Sequence, residues 1–185
     1  MSIVPPKRPE LTRAAALQWL AEAGVNTLPA LVGRRGYYRD SMGKPGVQER
    51  GIYDDAIALV TRDGIITFNA NTDPSKHGGR LAVLAPGVWS YKLGTHHPGT
   101  PGAYPCLVQA GPVTVNRDNG VTESGEFYIH IHRGGYTTTG SEGCQTIHPD
   151  QWGEFIRAVQ FALKASSQRA IPYALVARED EKAAT

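Results

Sequence analysis

Short apolar runs cut by glycine- and proline-rich turns fill the middle of the chain, and this punctuation limits its fold more than any other feature. The runs are too brief for helices and of the right length for strands. Ala56 to Thr61 and Ile65 to Asn69 flank Arg62-Asp63-Gly64, a hairpin signal because an Asp-Gly pair suits a tight turn between two strands. Further strands are expected at Leu81 to Leu84, Val88 to Leu93, Tyr104 to Gln109 and Pro112 to Asn116. The stretch Thr95-His96-His97-Pro98-Gly99-Thr100-Pro101-Gly102 reads as loop. From Glu126 to His132, Phe127, Ile129 and Ile131 alternate with Tyr128, His130 and His132. That is the period of a strand with one apolar face, and it sets His130 and His132 side by side on the other.

Helical spacing occurs near each end. Leu11, Ala14, Ala15, Leu17, Leu20 and Ala21 form one face of a helix over Glu10 to Ala23, stopped by Gly24. After Ile147-His148-Pro149-Asp150, Trp152, Phe155, Ile156, Val159 and Leu163 form the stripe of a second. Ile171 to Ala177 reads as a closing strand and Arg178 to Thr185 as a charged tail. Asn26 to Arg50, rich in Gly, Pro and Arg, reads as a loop with one small strand near Tyr37-Tyr38 and a solvated turn at Arg34-Arg35. These elements predict an α+β fold, mainly a β sandwich or curled mixed sheet, with an N-terminal helix and a helix–strand after Cys144. The expected organisation is a single domain, 1–185, in which 1–50 is a helix and loop extension and 54–177 the core.

Composition narrows the function. Of 185 residues, 41% are hydrophobic and 19% charged, enough for one core. A net charge of +2 without basic residues interleaved with aromatics argues against a nucleic-acid partner. No stretch reaches the ~20 apolar residues of a membrane span. The two cysteines, Cys106 and Cys144, form neither a disulfide framework nor a Cys-x-x-Cys zinc motif. Cys106, in a strand-like run, reads as a packed core thiol.

Cys144 closes the string Ile131-His132-Arg133-Gly134-Gly135-Tyr136-Thr137-Thr138-Thr139-Gly140-Ser141-Glu142-Gly143-Cys144. A strand histidine followed by a polar, glycine-rich loop into Ser-x-Gly-Cys pairs a candidate base, His132, with a candidate nucleophile. A free thiol titrates near pH ~8.5, so a neighbouring imidazole is what yields thiolate at neutral pH. Gly143 is expected to turn the chain and bring backbone N–H groups to a developing oxyanion. Ser141 and the Thr137 to Thr139 run are hydroxyl donors. Arg133, Tyr136 and Arg117 are candidates for a substrate carboxylate.

This string resembles the catalytic signature of the L,D-transpeptidase (YkuD-type) family, in which a strand histidine and a glycine precede a loop ending in Ser/Thr-His-Gly-Cys. His132 and Ser141-Glu142-Gly143-Cys144 match its core. Gly99-Thr100-Pro101-Gly102-Ala103-Tyr104 resembles the family's Thr-Pro-x-Gly-x-aromatic segment, with one residue missing between proline and glycine. Glu142 stands where the family has histidine, Thr146 where Arg or Asn is usual, and Arg133 where glycine follows the histidine. The resemblance implies acyl transfer by Cys144 and His132, with Ser141 and Gly143 shaping the site and His130, Arg133, Tyr136, Glu142 and Thr146 near the substrate. It implies no metal and no cofactor, and a peptidoglycan stem peptide as partner.

Within the family the acyl-enzyme is resolved by an amine, giving a cross-link, or by water, giving a carboxypeptidase or endopeptidase. The altered neighbours of Cys144 favour hydrolysis. With no apolar leader in Met1 to Glu10, the chain is expected to be made in the cytoplasm and to reach the wall by holin-type release, as a phage endolysin does, or by injection. Three rival readings remain: a cross-linking L,D-transpeptidase; a zinc hydrolase using His130 and His132 with His96, His97 or Cys144; and a non-catalytic wall-binding or virion protein.

Overall fold

The apolar runs pair much as their turns direct. The computed structural model describes residues 2–44, 46–47 and 49–177. Its strands are β1 (Ala30–Arg34), β2 (Asp55–Val60), β3 (Ile65–Asn71), β4 (Ala82–Leu84), β5 (Gly87–His96), β6 (Tyr104–Gln109), β7 (Val113–Arg117), β8 (Thr122–Gly125), β9 (Ile131–Arg133), β10 (Gln145–Ile147) and β11 (Ile171–Val176). Eight of them form one mixed sheet in the order β1-β11-β5-β6-β9-β10-β3-β2, and β1 pairs with β2 to close it into a barrel. The curled mixed sheet is therefore curled to closure, which leaves it without an edge. A small sheet, β4-β7-β8, stands apart. The fold is mainly β within the α+β class.

Two helices complete the described residues. In α1 (Arg13–Glu22), Thr12 Oγ1 accepts the Ala15 N–H at 3.2 Å, and Gly24 at φ +77° ends the helix where a side chain would be strained. Its Ala16 and Leu20 pack with Ala30, Val32, Val60 and Ala174 in a small apolar cluster. In α2 (Pro149–Ser166), His148 caps the first turn, and the expected stripe from Trp152 to Leu163 is buried in the main core. Phe155 meets Phe68 edge-on at 5.2 Å.

Four expectations change. The strand in the 26–50 region is β1, not Tyr37-Tyr38, and it is a barrel strand. Leu31 and Val32 are both buried, in different clusters, so β1 lacks the alternation that marks a half-exposed strand. Arg35 is not in a solvated turn. It is 5% exposed, ion-paired with Asp73 at 3.2 Å, and donates to the carbonyls of Thr72 and Leu84, which ties β4 to the barrel. β5 runs through His96, shortening the expected loop. β8, polar along its length, was not legible as a strand. The Arg178 to Thr185 tail lies outside the described residues.

The fourth change bears on the site. Only Ile131–Arg133 of the expected Glu126 to His132 strand is regular. Ahead of it, the side chain of Gln109 does the work of a partner strand. Its Oε1 accepts the N–H groups of Phe127 and Ile129 at 3.3 and 3.2 Å, and its Nε2 donates to the carbonyls of Gly111 and Gly125, both at 2.8 Å. Burial still alternates along Phe127, Ile129 and Ile131, so the apolar period is kept while the backbone ladder is not. Gln109→Ala strands two backbone donors and is expected to lower stability by about 1–3 kcal/mol. An unchanged denaturation midpoint would show that the segment holds itself.

Candidate active site around Cys144

The loop before Cys144 is stitched down by hydroxyl groups. Ser75 and Ser141 exchange bonds, N–H to Oγ and N–H to carbonyl, each at 2.7 Å, and Ser75 Oγ lies 2.7 Å from Thr139 Oγ1. Tyr53 OH donates to the Gly135 carbonyl at 2.7 Å. Ser141 Oγ accepts the Gly143 N–H at 3.0 Å and donates to the Cys144 carbonyl at 2.6 Å. Ser141 is thus a bracket for the turn, and the Gly143 N–H is occupied. Gly143 itself is dictated by space: at φ +153°, a Cβ there would lie 2.5 Å from the Ala82 carbonyl oxygen.

Cys144 leads into β10, which runs parallel to β9 with Gln145 opposite Ile131 and Thr146 opposite His132. Cys144 therefore stands level with His130, whose N–H donates to Sγ at 3.4 Å; Sγ lies 3.5 Å from the Tyr128 carbonyl. Tyr128 adopts φ +58°, unusual for a bulky residue, and this bends the segment around the sulfur. Burial pushes the Cys144 thiol up, the His130 N–H opposes this, and Glu142 adds to the rise. At rest the sulfur holds its proton. The Cys144 N–H meets no acceptor among the described residues.

The thiol opens into a cleft of about 500 Å³ walled by Arg80, Leu81, Ala82, Arg117, Phe127, Tyr128, Ile129, Glu142 and Gly143. Arg117 is held by Glu123 at 2.7 Å, lies 5.5 Å over the Phe127 ring and donates to the Arg80 carbonyl. Arg80 is exposed. Another cavity of about 500 Å³, lined by residues including Leu28, Ile66, Ala158 and Phe161, has neither a cysteine nor a histidine in its lining.

His132 is 5% exposed. Its Nδ1 lies 2.8 Å from the Arg133 carbonyl, so Nδ1 carries the proton and Nε2 the lone pair. Burial lowers His132 to about 4, with His96, His130 and His97 also disfavouring charge against the opposing Arg133 bond. His132 is a neutral base at pH 7. Tyr104 OH reaches the same edge, 3.5 Å from Nδ1 and 3.4 Å from the Arg133 carbonyl, and the His96 ring stacks on His132 at 4.3 Å. No hydrogen bond joins Sγ to either imidazole among the described residues. His132 stands two positions beyond the level of Cys144, about 6–7 Å along the strand.

The other expected site residues scatter. Glu142 is on the cleft wall; His130 is half-buried beside Cys144. Arg133 is exposed and lies 4.8 Å over the Tyr104 ring. Tyr136 is exposed and donates to Asp150 at 2.9 Å, on the side of His148. Thr146 is fully buried between His132 and Asn71. Thr146 Oγ1 and the Asn71 amide are buried without partners among the described residues, and burial with Asp55 and Asp73 nearby raises Asp54 to about 9. Arg80, Ser75, Gln109 and the Tyr128 carbonyl were not anticipated. Each is recruited by a fold contact between distant segments and carries no local motif.

No family model, curated protein or solved structure matches the chain.

Proposed function

We propose that the protein cleaves peptidoglycan stem peptides through a Cys144 acyl-enzyme, on an L,D-transpeptidase-type fold. The observation that carries this reading is a thiol at a cleft lined by Arg80 and Arg117, with a neutral buried imidazole, its Nδ1 tied to a carbonyl, two strand positions away. His132 Nε2 takes the thiol proton as Sγ bonds to the peptide carbonyl carbon, closing the gap between them as substrate binds. The Cys144 N–H meets the oxyanion. The tetrahedral intermediate collapses, the amine leaves with the proton from His132, and water then hydrolyses the thioester by the same base. Tyr104, which ends the Gly99 to Tyr104 stretch that resembles the family's second segment, braces the carbonyl that orients His132.

Stem peptides carry free carboxylates, and Arg80 and Arg117 are the cations of the cleft. Arg80→Ala is expected to raise KM for a diaminopimelate-containing stem peptide roughly tenfold with a smaller change in kcat, and Arg80→Lys to recover part of it. An unchanged KM would remove Arg80 from substrate binding. Mass analysis of the products tests the reaction: fragments heavier by one water mark hydrolysis, joined peptides mark cross-linking, and intact substrate rejects the proposal. On this reading the chain belongs with wall-degrading enzymes of the endolysin or injected-effector kind. No helix among the described residues is long and apolar enough to cross a membrane.

A further inference from the structure

On the barrel wall next to Cys144, His96 at the end of β5, Cys106 in β6 and His130 just before β9 bring one nitrogen or sulfur donor each to within 4.8 Å of one another. His132, the expected partner of His130, is not one of the three. One feature of the cluster is unexplained by packing: His96 Nδ1 is buried with no hydrogen-bond partner among the described residues, next to the fully buried Cys106 thiol at the edge of the main core.

We propose that His96, Cys106 and His130 bind a zinc ion. Two imidazoles and one thiolate suit zinc, and three protein donors leave a tetrahedral ion one further position. Zn–N of about 2.0–2.1 Å and Zn–S of about 2.3 Å put tetrahedral ligands about 3.5 Å apart, so side-chain rotations closing the cluster by roughly an ångström complete the site. Binding replaces the S–H bond of Cys106 with an S–Zn bond and releases the proton to solvent. The ion links the β5–β6 hairpin, which supplies His96 and Cys106, to the segment just before β9. That segment is the irregular stretch whose His130 N–H touches Cys144, otherwise held by the Gln109 side chain. Zinc is therefore a fastener for the wall of the cleft, separate from the nucleophile.

The test is metal binding by the full chain, independent of any turnover of peptidoglycan. After zinc loading and dialysis, elemental analysis is expected to find one zinc per chain, and cobalt substitution to give a thiolate-to-metal charge-transfer band. Cys106→Ser is expected to abolish that band. His96→Ala, at a half-exposed position and with folding checked by circular dichroism, is expected to weaken zinc binding at least tenfold. Cys144→Ser is expected to bind as the parent does. Absence of retained zinc, undiminished binding in folded His96→Ala, or loss of the charge-transfer band in Cys144→Ser with its retention in Cys106→Ser would each overturn the proposal.

Discussion

Replacing Cys144 with alanine is expected to reduce release of stem-peptide fragments by at least about 10⁴-fold, since the residue supplies the bond-forming atom and no other group in the cleft substitutes for it. Stability is expected to stay within about 1 kcal/mol of the parent, because the turn that carries residue 144 is held by Ser141 and Ser75 rather than by the sulfur. The measurement pairs fragment release from purified peptidoglycan with a denaturation curve. A folded Cys144→Ala protein that still releases fragments at the parent rate would refute thiol chemistry outright. A folded protein that only pellets with the wall, before and after mutation, would favour the binding-module reading.

His132→Ala is expected to cost about 10²–10⁴-fold in kcat/KM, the usual worth of a positioned base, and His130→Ala far less. The reverse ranking would move the base to His130. A pH profile adds a sharper signature. With His132 lowered to about 4 and the Cys144 thiol raised above its ordinary value, the imidazole is neutral and the thiol protonated throughout the neutral range. The profile of kcat/KM is thus expected to be flat around pH 6.5, with its acid limb near pH 4. An inflection at 6.5 would show an exposed imidazole. Stability follows the same groups with a definite sign. Below the unfolded value near 6.5 the unfolded chain binds a proton that His132, lowered to about 4, refuses in the fold. Its contribution is present above pH 6.5 and is lost as pH falls from there toward 4.

The elements legible in the sequence were those that announce themselves locally. The Arg62-Asp63-Gly64 turn marks the β2–β3 hairpin, where the Thr61 N–H donates to the Gly64 carbonyl at 2.9 Å. Pro149 and the stripe from Trp152 to Leu163 mark α2. What was hidden depends on partners distant in the chain. Leu31 and Val32 look like loop beside Gly33-Arg34-Arg35 because both faces of β1 are covered. Arg35 looks solvated until Asp73 and the Leu84 carbonyl arrive to bury it. The same division runs through the site. His132, Ser141, Gly143 and Cys144 share one string, but only the turn at Gly143 follows from spacing; the hydroxyl of Ser141, expected as a donor to the site, brackets that turn instead, and His132 is tied to the Arg133 carbonyl rather than to the sulfur. The cleft wall is different: Arg80 and Arg117 come from turn and small sheet, and no spacing rule connects them to residue 144.

β11 is the last strand of the described residues, yet it sits in the barrel between β1 and β5, pairing parallel with one and antiparallel with the other. A chain still being synthesised therefore exposes two unsatisfied strand edges until residue 176 has emerged, and a product truncated before residue 171 keeps them permanently. Such edges invite pairing with other chains. Closure joins segments more than a hundred residues apart, so the folding rate is set by long-range contact formation rather than by the hairpins. β11 acts as the keystone of assembly: the wall bearing His132 and Cys144 is locked into a ring only after the rest of the barrel has been made.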